Sequence, residues 1–453
     1  MKETILEKIV KNKYEWIKFR KKKQPLITFK NHINTKTRNF YNSLKEKNPV
    51  FILECKKKSP SLGIIKKNFN LIDIAKIYNK YASAISVLTD EKYFDGKLEF
   101  INIVRERVSQ PILCKDFFID PFQIYLARYY NADAILLMLS ILDDFQYQKL
   151  SKIAKELNMG ILTEVNNTSE LKRAIKLNAN IIGINNRNLH DLSINLNRTR
   201  ILSSLIPKNI IIISESGITK YKQIRYLSQF VNGFLIGSHL MSEKQLEIGV
   251  RSLILGENKI CGLTRSCDIE IAEKYGAVYG GLIFAPSSLR KISKNTAKKI
   301  IFNNTLRNVG VFQNENIEIV KNIAEELNLY AVQLHGQEDQ KYVKKLRQTL
   351  SINIQIWKAF SIDSKIPDLN WDHIHKYVLD SQFGGSNKCF NWSILKHQIL
   401  ENVILAGGIN SNNCIKASKL NCSGLDLNSG IEVSPGIKDH KKIKSVFQKL
   451  RYY

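Results

Sequence analysis

The stretch Phe51–Ser61, FILECKKKSPS, is the part of the chain from which the fold can be argued, because an apolar run stops abruptly at charged residues and a turn. Its first three residues have the composition of a strand buried inside a sheet. Glu54, Lys56 and Ser59 follow, where a parallel α/β barrel presents its reacting groups. Charges at the end of a buried strand are costly unless a site uses them. The stretch therefore predicts a strand that leads into a binding or catalytic site.

The same pattern recurs along the first half of the chain, although a single E-x-K segment would be more typical of a structural ion pair. Further apolar runs end in a polar group or a glycine at Lys115, Glu164, Asn185, Glu215 and Gly237. The predicted strands are Phe51–Lys56, Ala84–Leu88, Pro111–Lys115, Asp133–Met138, Gly160–Val165, Ile181–Asn185, Ile210–Ser214 and Asn232–Ile236. Helical patterns lie between most of them. Eight strand–helix units predict a (β/α)8 barrel with its active site at the carboxyl ends of the strands.

A second series of eight strands begins directly after Leu255–Lys259, without a low-complexity linker. The predicted strands are Lys259–Leu263, Gly281–Phe284, Asn308–Phe312, Ala331–Leu334, Ile354–Ala359, Lys376–Leu379, Val403–Ala406 and Gly424–Leu427. At 453 residues the chain is also longer than one hydrophobic core usually supports. We therefore predict an α/β protein of two tandem TIM barrels, with a first domain at 1–255, which includes an N-terminal helical extension, and a second at 256–453.

The charge of the chain raises nucleic-acid binding as a rival function. Lysine and arginine outnumber aspartate and glutamate by 69 to 41, which gives a net charge of +28. The basic residues are spread along the chain, and no zinc-finger, ribonucleoprotein or basic-zipper pattern accompanies them. We therefore expect no nucleic-acid partner, and a basic RNA-binding protein is kept as an alternative. Anionic small substrates would be attracted by this charge.

Cysteine usage and hydropathy predict a cytoplasmic protein without a membrane partner. The seven cysteines are irregularly spaced and suggest neither a disulfide framework nor a zinc site. The N-terminus lacks the apolar core of a signal peptide, and its amphipathic helix over residues 1–24 is expected to pack on the domain rather than on a membrane. The longest apolar stretch, Ala134–Leu142, is too short to span a bilayer.

The strand ends of the first barrel would bring acids, bases and anion-binding groups together. The charged and amide groups are Lys56, Lys115, Glu54, Glu164, Glu215, Asn185 and Arg187. Acids and bases in a semi-dry pocket shift one another's pKa values, so a lysine can donate a proton while a glutamate accepts one. Ser216-Gly217 and Gly237-Ser238 follow the seventh and eighth strands, where this fold usually binds phosphate. The ring therefore suits acid–base chemistry on a phosphorylated substrate.

The strings ILECKKKSPS, ILCKDF, LTEV, GINNR, SESGI and FLIGS occur in this order, and residues 1–255 resemble indole-3-glycerol-phosphate synthase. The resemblance implies closure of an indole ring from carboxyphenylamino-deoxyribulose phosphate. It makes Lys115 the general acid on the substrate carbonyl and Glu164 a general acid/base in the dehydration. Positioning of substrate and phosphate falls to Glu54, Asn185, Glu215, Ser216, Lys56, Arg187, Gly217, Gly237 and Ser238. The apolar wall for the aromatic ring is expected from Phe94, Phe117 and either Leu137 or Leu139, without a choice among them.

Fewer charged residues lie at the predicted strand ends of the second barrel than at those of the first. Cys261 ends the first strand, Asp380 ends the sixth, and Arg290 lies in the loop after the second. A buried cysteine alone is usually inert, but an opposing aspartate and an arginine that favours the thiolate indicate a reactive one. The phosphate pattern returns after the seventh and eighth strands at Gly407, Gly408, Ser429 and Gly430. Gly384-Gly385-Ser386 predicts a flexible loop over the substrate.

The strings KICGLT, GLIFAPSSLRKIS, VGVF, VQLHG, VLDS, LAGG and NSGIE occur in order, and residues 256–453 resemble phosphoribosylanthranilate isomerase. The resemblance implies an Amadori rearrangement. Asp380 would protonate the furanose ring oxygen, Cys261 would remove the C2 proton, and Arg290 would hold the anthranilate carboxylate. The sequence departs from the family at Asn387, where glycine is expected, and at Asn391, where aspartate is expected. Both departures put the mobility and packing of the loop in doubt more than the chemistry.

The two resemblances together predict a fused, bifunctional enzyme of tryptophan biosynthesis that acts on phosphorylated anthranilate substrates as a monomer. No metal or organic cofactor is expected, because dinucleotide and Walker patterns are missing and His373 and His375 are interpreted as surface residues. One alternative is an inactive double-barrel scaffold, which would have no need to keep charges at buried strand ends. Another is a sugar-phosphate isomerase or aldolase with other substrates, since the fold alone does not fix function.

Overall fold

The computed structural model describes residues 3–45, 49–188, 191–381, 389–396 and 398–452. Two compact units divide between Glu247 and Ile248, and each is described by itself. The helix Leu246–Leu255 spans this division. The predicted domain boundary at 255/256 lies at the other end of that helix and stays a prediction.

The first unit contains a closed barrel of eight parallel strands, as the sequence predicts. The strands are Val50–Cys55, Ala84–Leu88, Ile112–Lys115, Ala134–Met138, Gly160–Val165, Ile181–Asn185, Ile211–Glu215 and Gly233–Ile236. They follow one another around the barrel in chain order, and the first strand closes the ring by pairing with both the second and the eighth. All six residues of Val50–Cys55 are buried, which explains why this strand is apolar on both faces up to Glu54.

Helices of the first unit alternate with the barrel strands. They are Ile5–Lys23, Phe40–Ser43, Leu71–Tyr81, Glu91–Phe94, Glu99–Arg105, Pro121–Tyr129, Asp144–Glu156, Thr168–Lys176, Asn197–Ser203, Tyr221–Leu227 and Ser238–Ser242. Short 3-10 helices cover Leu26–Thr28 and Lys30–His32, and Lys58–Ser59 pairs with Gly63–Ile64 in a small hairpin. Capping boxes at Asp120 and Asp143 show why two of the helices begin where they do.

The N-terminal helix Ile5–Lys23 packs its apolar face on the barrel, as expected, and also carries a buried charge. Leu6 and Ile9 belong to the core cluster of the first unit. Lys13 is only 2% exposed, and its Nζ lies 2.7 Å from carboxylate oxygens of both Asp90 and Asp116. The helix is therefore tied by ion pairs to the loops that follow the second and third strands. None of the described helices is long and apolar enough to cross a membrane.

The second unit contains a second closed barrel of eight parallel strands, which also confirms the prediction. The strands are Lys259–Ile260, Tyr279–Ile283, Arg307–Phe312, Ala331–Leu334, Gln355–Ile362, Lys376–Ser381, Val403–Leu405 and Gly424–Leu427. The helices are Ser266–Tyr275, Lys294–Ile300, Ile317–Glu326, Gln340–Thr349, Cys414–Ser418 and His440–Arg451, with 3-10 helices at Trp392–Leu395 and Ser429–Ile431 and a hairpin of Glu432–Ser434 with Ile437–Lys438.

Six of the eight strands of the second barrel differ from the predicted bounds, and local reasons explain the first two. The first strand ends at Ile260 rather than Leu263, because Gly262 has φ +67 and turns the chain. The second strand begins at Tyr279 rather than Gly281, since Tyr279 is fully buried and packs edge-on against Trp357 with ring centroids 4.8 Å apart.

Candidate functional sites

A cavity of about 420 Å³ opens at the carboxyl ends of the first barrel's strands. Its lining includes every site residue predicted for the first domain: Glu54, Lys56, Ser59, Lys115, Glu164, Asn185, Arg187, Glu215, Ser216, Gly217, Gly237 and Ser238. The structure thus brings together residues that are up to 184 positions apart, from Glu54 to Ser238 (238 − 54). Their convergence follows from the parallel barrel, which places all strand ends on one face.

Lys115 lies among carboxylates at the centre of this cavity. Its Nζ is 3.2 Å from Glu215 Oε2 and 3.6 Å from Glu164 Oε2. Burial alone would lower the pKa of Lys115, but the negative charges of Glu215, Glu164 and Glu54 outweigh it and raise the pKa above its usual value. Asn185 Nδ2 donates to Glu164 Oε1 at 3.1 Å and fixes that carboxylate. Lys115 is therefore held in its protonated, positively charged form.

The Glu215 carboxylate occupies space that is open because Gly183 has no side chain. A Cβ built on Gly183, on the neighbouring strand, would collide with Glu215 Oε1. That oxygen is buried and has no hydrogen-bond partner among the described residues. Burial raises the pKa of Glu215, and the opposing attraction of Lys115 does not cancel the rise. The carboxyl can therefore take up a proton more readily than an exposed glutamate.

Glu54 and Lys56, from the stretch that predicted the barrel, form an ion pair at the cavity wall. Lys56 Nζ is 2.5 Å from Glu54 Oε1, and it also donates to Ser238 Oγ at 3.5 Å. Ser86 Oγ donates to Glu54 Oε2 at 3.4 Å. A Cβ on Gly237 would collide with Glu54 Oε1, so the bare backbone of the eighth strand makes room for the carboxylate.

The groups predicted to bind phosphate surround the loops after the sixth, seventh and eighth strands. Ser216 and Gly217 have φ values of +66 and +82, a left-handed turn that only Gly217 adopts without steric cost. The Arg187 backbone N–H donates to Asn185 Oδ1 at 2.9 Å, and its guanidinium donates to the carbonyl of Leu192 at 2.8 Å. Gly237 and Ser238 lie at the start of the helix Ser238–Ser242.

The apolar wall of the cavity is partly as predicted. Phe94 and Phe117 line it, with ring centroids 6.1 Å apart. From the fourth strand, Leu136 and Met138 line it rather than Leu137 or Leu139. The N-terminal helix adds Ile5, Leu6 and Ile9, which sequence reasoning treated only as packing residues.

In the second unit, Cys261 and Asp380 lie at the carboxyl ends of the first and sixth strands, with His335 beside the aspartate. Asp380 Oδ2 is 3.8 Å from His335 Nε2, and Asp380 Oδ1 accepts the Ser381 backbone N–H at 2.7 Å. Burial raises the pKa of Asp380, as a general acid requires. His335 was missed at the sequence level, although it lies in the quoted string VQLHG.

Arg290 has a partner that the sequence did not suggest. Its guanidinium donates twice to Glu432, from Nε at 3.0 Å and from NH2 at 2.7 Å, and Lys438 Nζ reaches the same carboxylate at 2.7 Å. Arg290 was expected to favour the Cys261 thiolate. Burial instead raises the pKa of Cys261, and the cations that oppose this rise are Lys259 and Lys438.

The predicted phosphate loops of the second barrel contain the expected backbone features. Gly407 and Gly408 have φ values of +89 and +58. A Cβ on Gly407 would approach the Ser381 backbone nitrogen to 2.9 Å, and one on Gly430 would collide with the Ile409 carbonyl. Ser429 opens the 3-10 helix Ser429–Ile431. These loops therefore come too close to neighbouring backbone for larger residues.

The loop predictions have different outcomes. Gly384, Gly385, Ser386 and Asn387 lie outside the described residues. Asn391 caps the 3-10 helix Trp392–Leu395, where its side chain accepts the Ser393 backbone N–H at 3.0 Å. An asparagine oxygen serves this capping role as an aspartate would.

One cluster with metal-ligating groups occurs among the described residues, and it contains none of the predicted site residues. It consists of Cys267, Asp268 and His440, whose ligand atoms lie within 4.8 Å of one another. The Asp268 carboxylate already accepts two bonds from the Arg265 guanidinium, at 2.8 and 2.9 Å, and one from His440 Nε2 at 2.9 Å. The Arg265 guanidinium therefore already supplies the positive charge that balances the Asp268 carboxylate. At His375, Nδ1 accepts the Ile356 backbone N–H at 3.2 Å.

Comparisons with known proteins match each half of the chain to a family. A family model described as indole-3-glycerol phosphate synthase matches residues 6–253. A model described as N-(5'-phosphoribosyl)anthranilate (PRA) isomerase matches residues 258–449. A solved phosphoribosyl anthranilate isomerase from Thermus thermophilus is 32% identical, with a TM-score of 0.39, and the match covers 43% of this chain and 98% of that one.

Full-length relatives share both halves. The TrpCF tryptophan biosynthesis protein of Buchnera aphidicola from Acyrthosiphon pisum is 72% identical over 100% of both chains. The TrpCF protein of Salmonella typhi is 54% identical, again over 100% of both chains. That of Yersinia pestis is 55% identical over 99% of this chain and 95% of its own. The chain therefore belongs to the TrpCF family of bifunctional tryptophan-biosynthesis enzymes, with an indole-3-glycerol-phosphate synthase unit followed by a phosphoribosylanthranilate isomerase unit.

Proposed function

We propose that Lys115 is the general acid of the synthase unit and that Glu164 is its acid/base partner in the dehydration. The observation that carries this assignment is the position of Lys115 Nζ between Glu215 and Glu164, at 3.2 and 3.6 Å. When the aromatic carbon of the substrate attacks the ketose carbonyl, negative charge develops on oxygen, and a lysine ammonium can neutralise it by proton transfer. Loss of carbon dioxide then restores the aromatic ring.

The second half of the synthase reaction needs the hydroxyl to leave as water. Glu164 is fixed by Asn185 and lies beside Lys115, so it can assist proton movement at this step. Glu54, Asn185, Glu215 and Ser216 would position the substrate, and Lys56 would face its carboxylate and phosphate. The remaining phosphate contacts are assigned to Ser59, Arg187, Gly217, Gly237 and Ser238.

In the isomerase unit we assign Asp380 as the general acid and Cys261 as the general base. Asp380 would protonate the furanose ring oxygen, the C1–O bond would break to give the imine, and Cys261 would then remove the C2 proton. The raised pKa of Asp380, caused by burial, supports its role as the proton donor. Arg290 would bind the anthranilate carboxylate, and Gly407, Gly408, Ser429 and Gly430 would bind the phosphate.

The finer properties of the whole protein are also proposals. We infer a cytoplasmic monomer with a domain boundary at 255/256 and no nucleic-acid partner. The free state of all seven cysteines is compatible with a reducing compartment. Sedimentation of the purified chain, with and without RNA, would test the oligomeric state and the nucleic-acid partner together.

The decisive experiment supplies the purified chain with phosphoribosylanthranilate and follows the loss of its fluorescence together with the appearance of indole-3-glycerol phosphate. We expect the final product to form, because the isomerase product is the synthase substrate. The Lys115→Ala variant should stop at the open-chain ketose. Full turnover to the final product by that variant would refute the assignment of Lys115.

A further inference from the structure

A buried ion pair lies next to Cys261 in the second barrel. Lys259 and Cys261 are two positions apart, so their side chains lie on the same side of the chain. Lys259 is paired in register with Asp426 of the eighth strand. Its Nζ lies 2.8 Å from Asp426 Oδ2, and its side chain has no solvent exposure. The charges are therefore at the barrel interior and not at its surface.

Packing places Lys259 directly beside the thiol. A Cβ built on Gly281, in the neighbouring strand, would lie 2.8 Å from Cys261 Sγ and 3.0 Å from Lys259 Cε. Both side chains thus fill the space that this glycine leaves open. Cys261 otherwise contacts the apolar residues Ile283, Ala285 and Val311, which contribute no charge.

The second carboxylate oxygen of Asp426 distinguishes this ion pair from a structural ion pair whose polar atoms are all hydrogen-bonded. Asp426 is 8% exposed, and its Oδ1 is buried without a hydrogen-bond partner among the described residues. Besides Lys259, the titratable groups Asp380 and His335 also act electrostatically on Asp426. A buried pair kept only for the fold is expected to satisfy its oxygens, so the unpartnered oxygen and the influence of Asp380 and His335 connect this pair with the candidate site.

Three charged groups act on the Cys261 thiol. Lys259 on its own strand and Lys438 favour the thiolate, whereas Asp426 and burial favour the neutral thiol. Lys438 is already bound to Glu432 at 2.7 Å and to Asn428 at 2.9 Å. Lys259 is the cation that packs beside the thiol, since both side chains fill the space next to Gly281, and it is the cation with the larger effect on Cys261. It is therefore the main group that can stabilise a negative sulfur.

We propose that Lys259, held in place by Asp426, is a positioning residue of the isomerase that orients Cys261 and stabilises its thiolate. This inference rests on the proposed role of Cys261 as the base. An ammonium beside the sulfur would increase the thiolate fraction at neutral pH and would remain charged because Asp426 neutralises it. Asp426 would prevent the buried lysine from losing its proton.

The direct test measures the ionisation of the Cys261 thiol in Lys259→Met, which keeps the volume of the side chain and removes its charge. The full-length protein is alkylated with iodoacetamide at a series of pH values, and modification of Cys261 is quantified by peptide mass spectrometry. We expect the midpoint pH of Cys261 alkylation to rise by about one unit or more. At pH values below the midpoint, this rise lowers the fraction of Cys261 present as thiolate about ten-fold. An unchanged midpoint would overturn the proposal.

A matched control and a rescue variant keep the test interpretable. Lys358→Met removes another buried lysine of the same barrel, 2.8 Å from Glu338, and should leave the Cys261 midpoint unchanged. If Lys259→Met does not fold, Lys259→Met/Asp426→Asn removes the unpaired carboxylate as well and should show the raised midpoint. A rise of equal size in the Cys261 midpoint of Lys358→Met would also overturn the proposal. It would indicate that losing a buried lysine loosens the packing of the barrel in general.

The pH profile of isomerase kcat/KM separates this inference from the proposed function. In Lys259→Met the acid limb of the isomerase kcat/KM profile should move to higher pH together with the alkylation midpoint. Synthase turnover by the same chain should stay unchanged. If Cys261→Ala retained full isomerase activity, the assigned base would be wrong even with a shifted midpoint. If Cys261→Ala is inactive but Lys259→Met keeps the wild-type midpoint, only the role of Lys259 fails.

Discussion

At the scale of single residues, the two sites differ in how charge is balanced. Lys115 is surrounded by carboxylates that raise its pKa, so the synthase site holds a cation in place. Cys261 and Asp380 are buried groups whose pKa values are both raised by desolvation. The proposed acid of the first site is therefore a stabilised cation, whereas burial makes the proposed acid of the second site bind a proton more readily than an exposed aspartate does.

Substitutions in the two sites should have reciprocal effects. We expect Lys115→Ala to lower synthase turnover by about 10²-fold or more, since it removes a general acid, and to leave the isomerase unchanged. Cys261→Ala and Asp380→Asn should do the reverse. Separate assays with phosphoribosylanthranilate and with the open-chain ketose would measure both activities. Lys149→Ala, on the exposed side of Asp144–Glu156, is the control and should change neither.

His335 gives a pH-dependent prediction for stability. Burial, with Lys259 next in importance, lowers the pKa of His335 to about 4. The unfolded histidine titrates at about 6.5, so between these values the unfolded chain binds more protons, and the free energy of unfolding falls as the pH falls. We expect His335→Gln to reduce this fall for the second unit, as measured by urea unfolding between these pH values.

The control for the histidine experiment is His373→Asn, at an exposed position whose φ of +64 asparagine tolerates. It should leave the pH dependence of unfolding as in the wild type. An equal acid-side loss of stability in wild type and His335→Gln would contradict the prediction.

At the scale of elements, the N-terminal helix is joined to the barrel by a buried cation. Burial alone would lower the pKa of Lys13, but Asp116 and Asp90 together raise it, so the lysine stays charged. Asp116 directly follows Lys115 and also accepts from Thr89 Oγ1 at 2.7 Å. The helix is therefore connected to the loop that directly follows the proposed general acid.

Removing this cation should destabilise the first unit strongly. Lys13→Met would leave two buried carboxylates without their partner, and breaking such a buried pair typically costs about 3–5 kcal/mol. Urea unfolding of the full chain, followed through the synthase unit, would measure the loss. Lys21→Met on the same helix breaks a more exposed pair with Asp120, 2.8 Å long, and should cost about 0–1 kcal/mol. Equal losses in the two variants would refute the structural role of Lys13.

Many of the elements could be predicted because apolar runs end where strands end. Ala84–Leu88 and Gly160–Val165 have the same bounds in the prediction and in the structure. The fourth strand shows the limit of this reasoning. Ala134–Met138 is apolar at every position, so its sequence does not reveal which alternate side chains face inward, and the choice of Leu137 or Leu139 fell on the wrong face.

Contacts between elements far apart in the chain could not be predicted from the sequence. The pairing of Arg290 with Glu432 joins residues 142 positions apart, and nothing in either local pattern indicates it. The same holds for the contribution of Ile5 and Ile9 to the cavity, because a helical pattern predicts an apolar face but not the surface that it covers. The convergence of the strand-end residues of the first barrel could be anticipated because the barrel itself brings those ends together.

At the scale of the whole molecule, the net charge of +28 concerns both activities. The substrates carry phosphate and carboxylate groups, so a positive field should favour their capture, and salt should screen it over a Debye length of about 10 Å at 0.1 M. We expect KM for both substrates to rise with potassium chloride while kcat changes little. Steady-state kinetics at several salt concentrations would measure this. A KM independent of salt would show that capture depends only on contacts inside the sites.

The glycines beside Glu215 and Glu54 have a consequence for how this enzyme can evolve. Gly183 and Gly237 carry no reacting group, yet the space above them is filled by Glu215 and Glu54. Any larger residue would displace a carboxylate, so these positions should tolerate as little variation in a mutational scan as the charged residues do. A lineage that exchanged either glutamate for a smaller side chain would release the facing glycine from this constraint. Substitutions at these two pairs of positions are therefore expected to occur together.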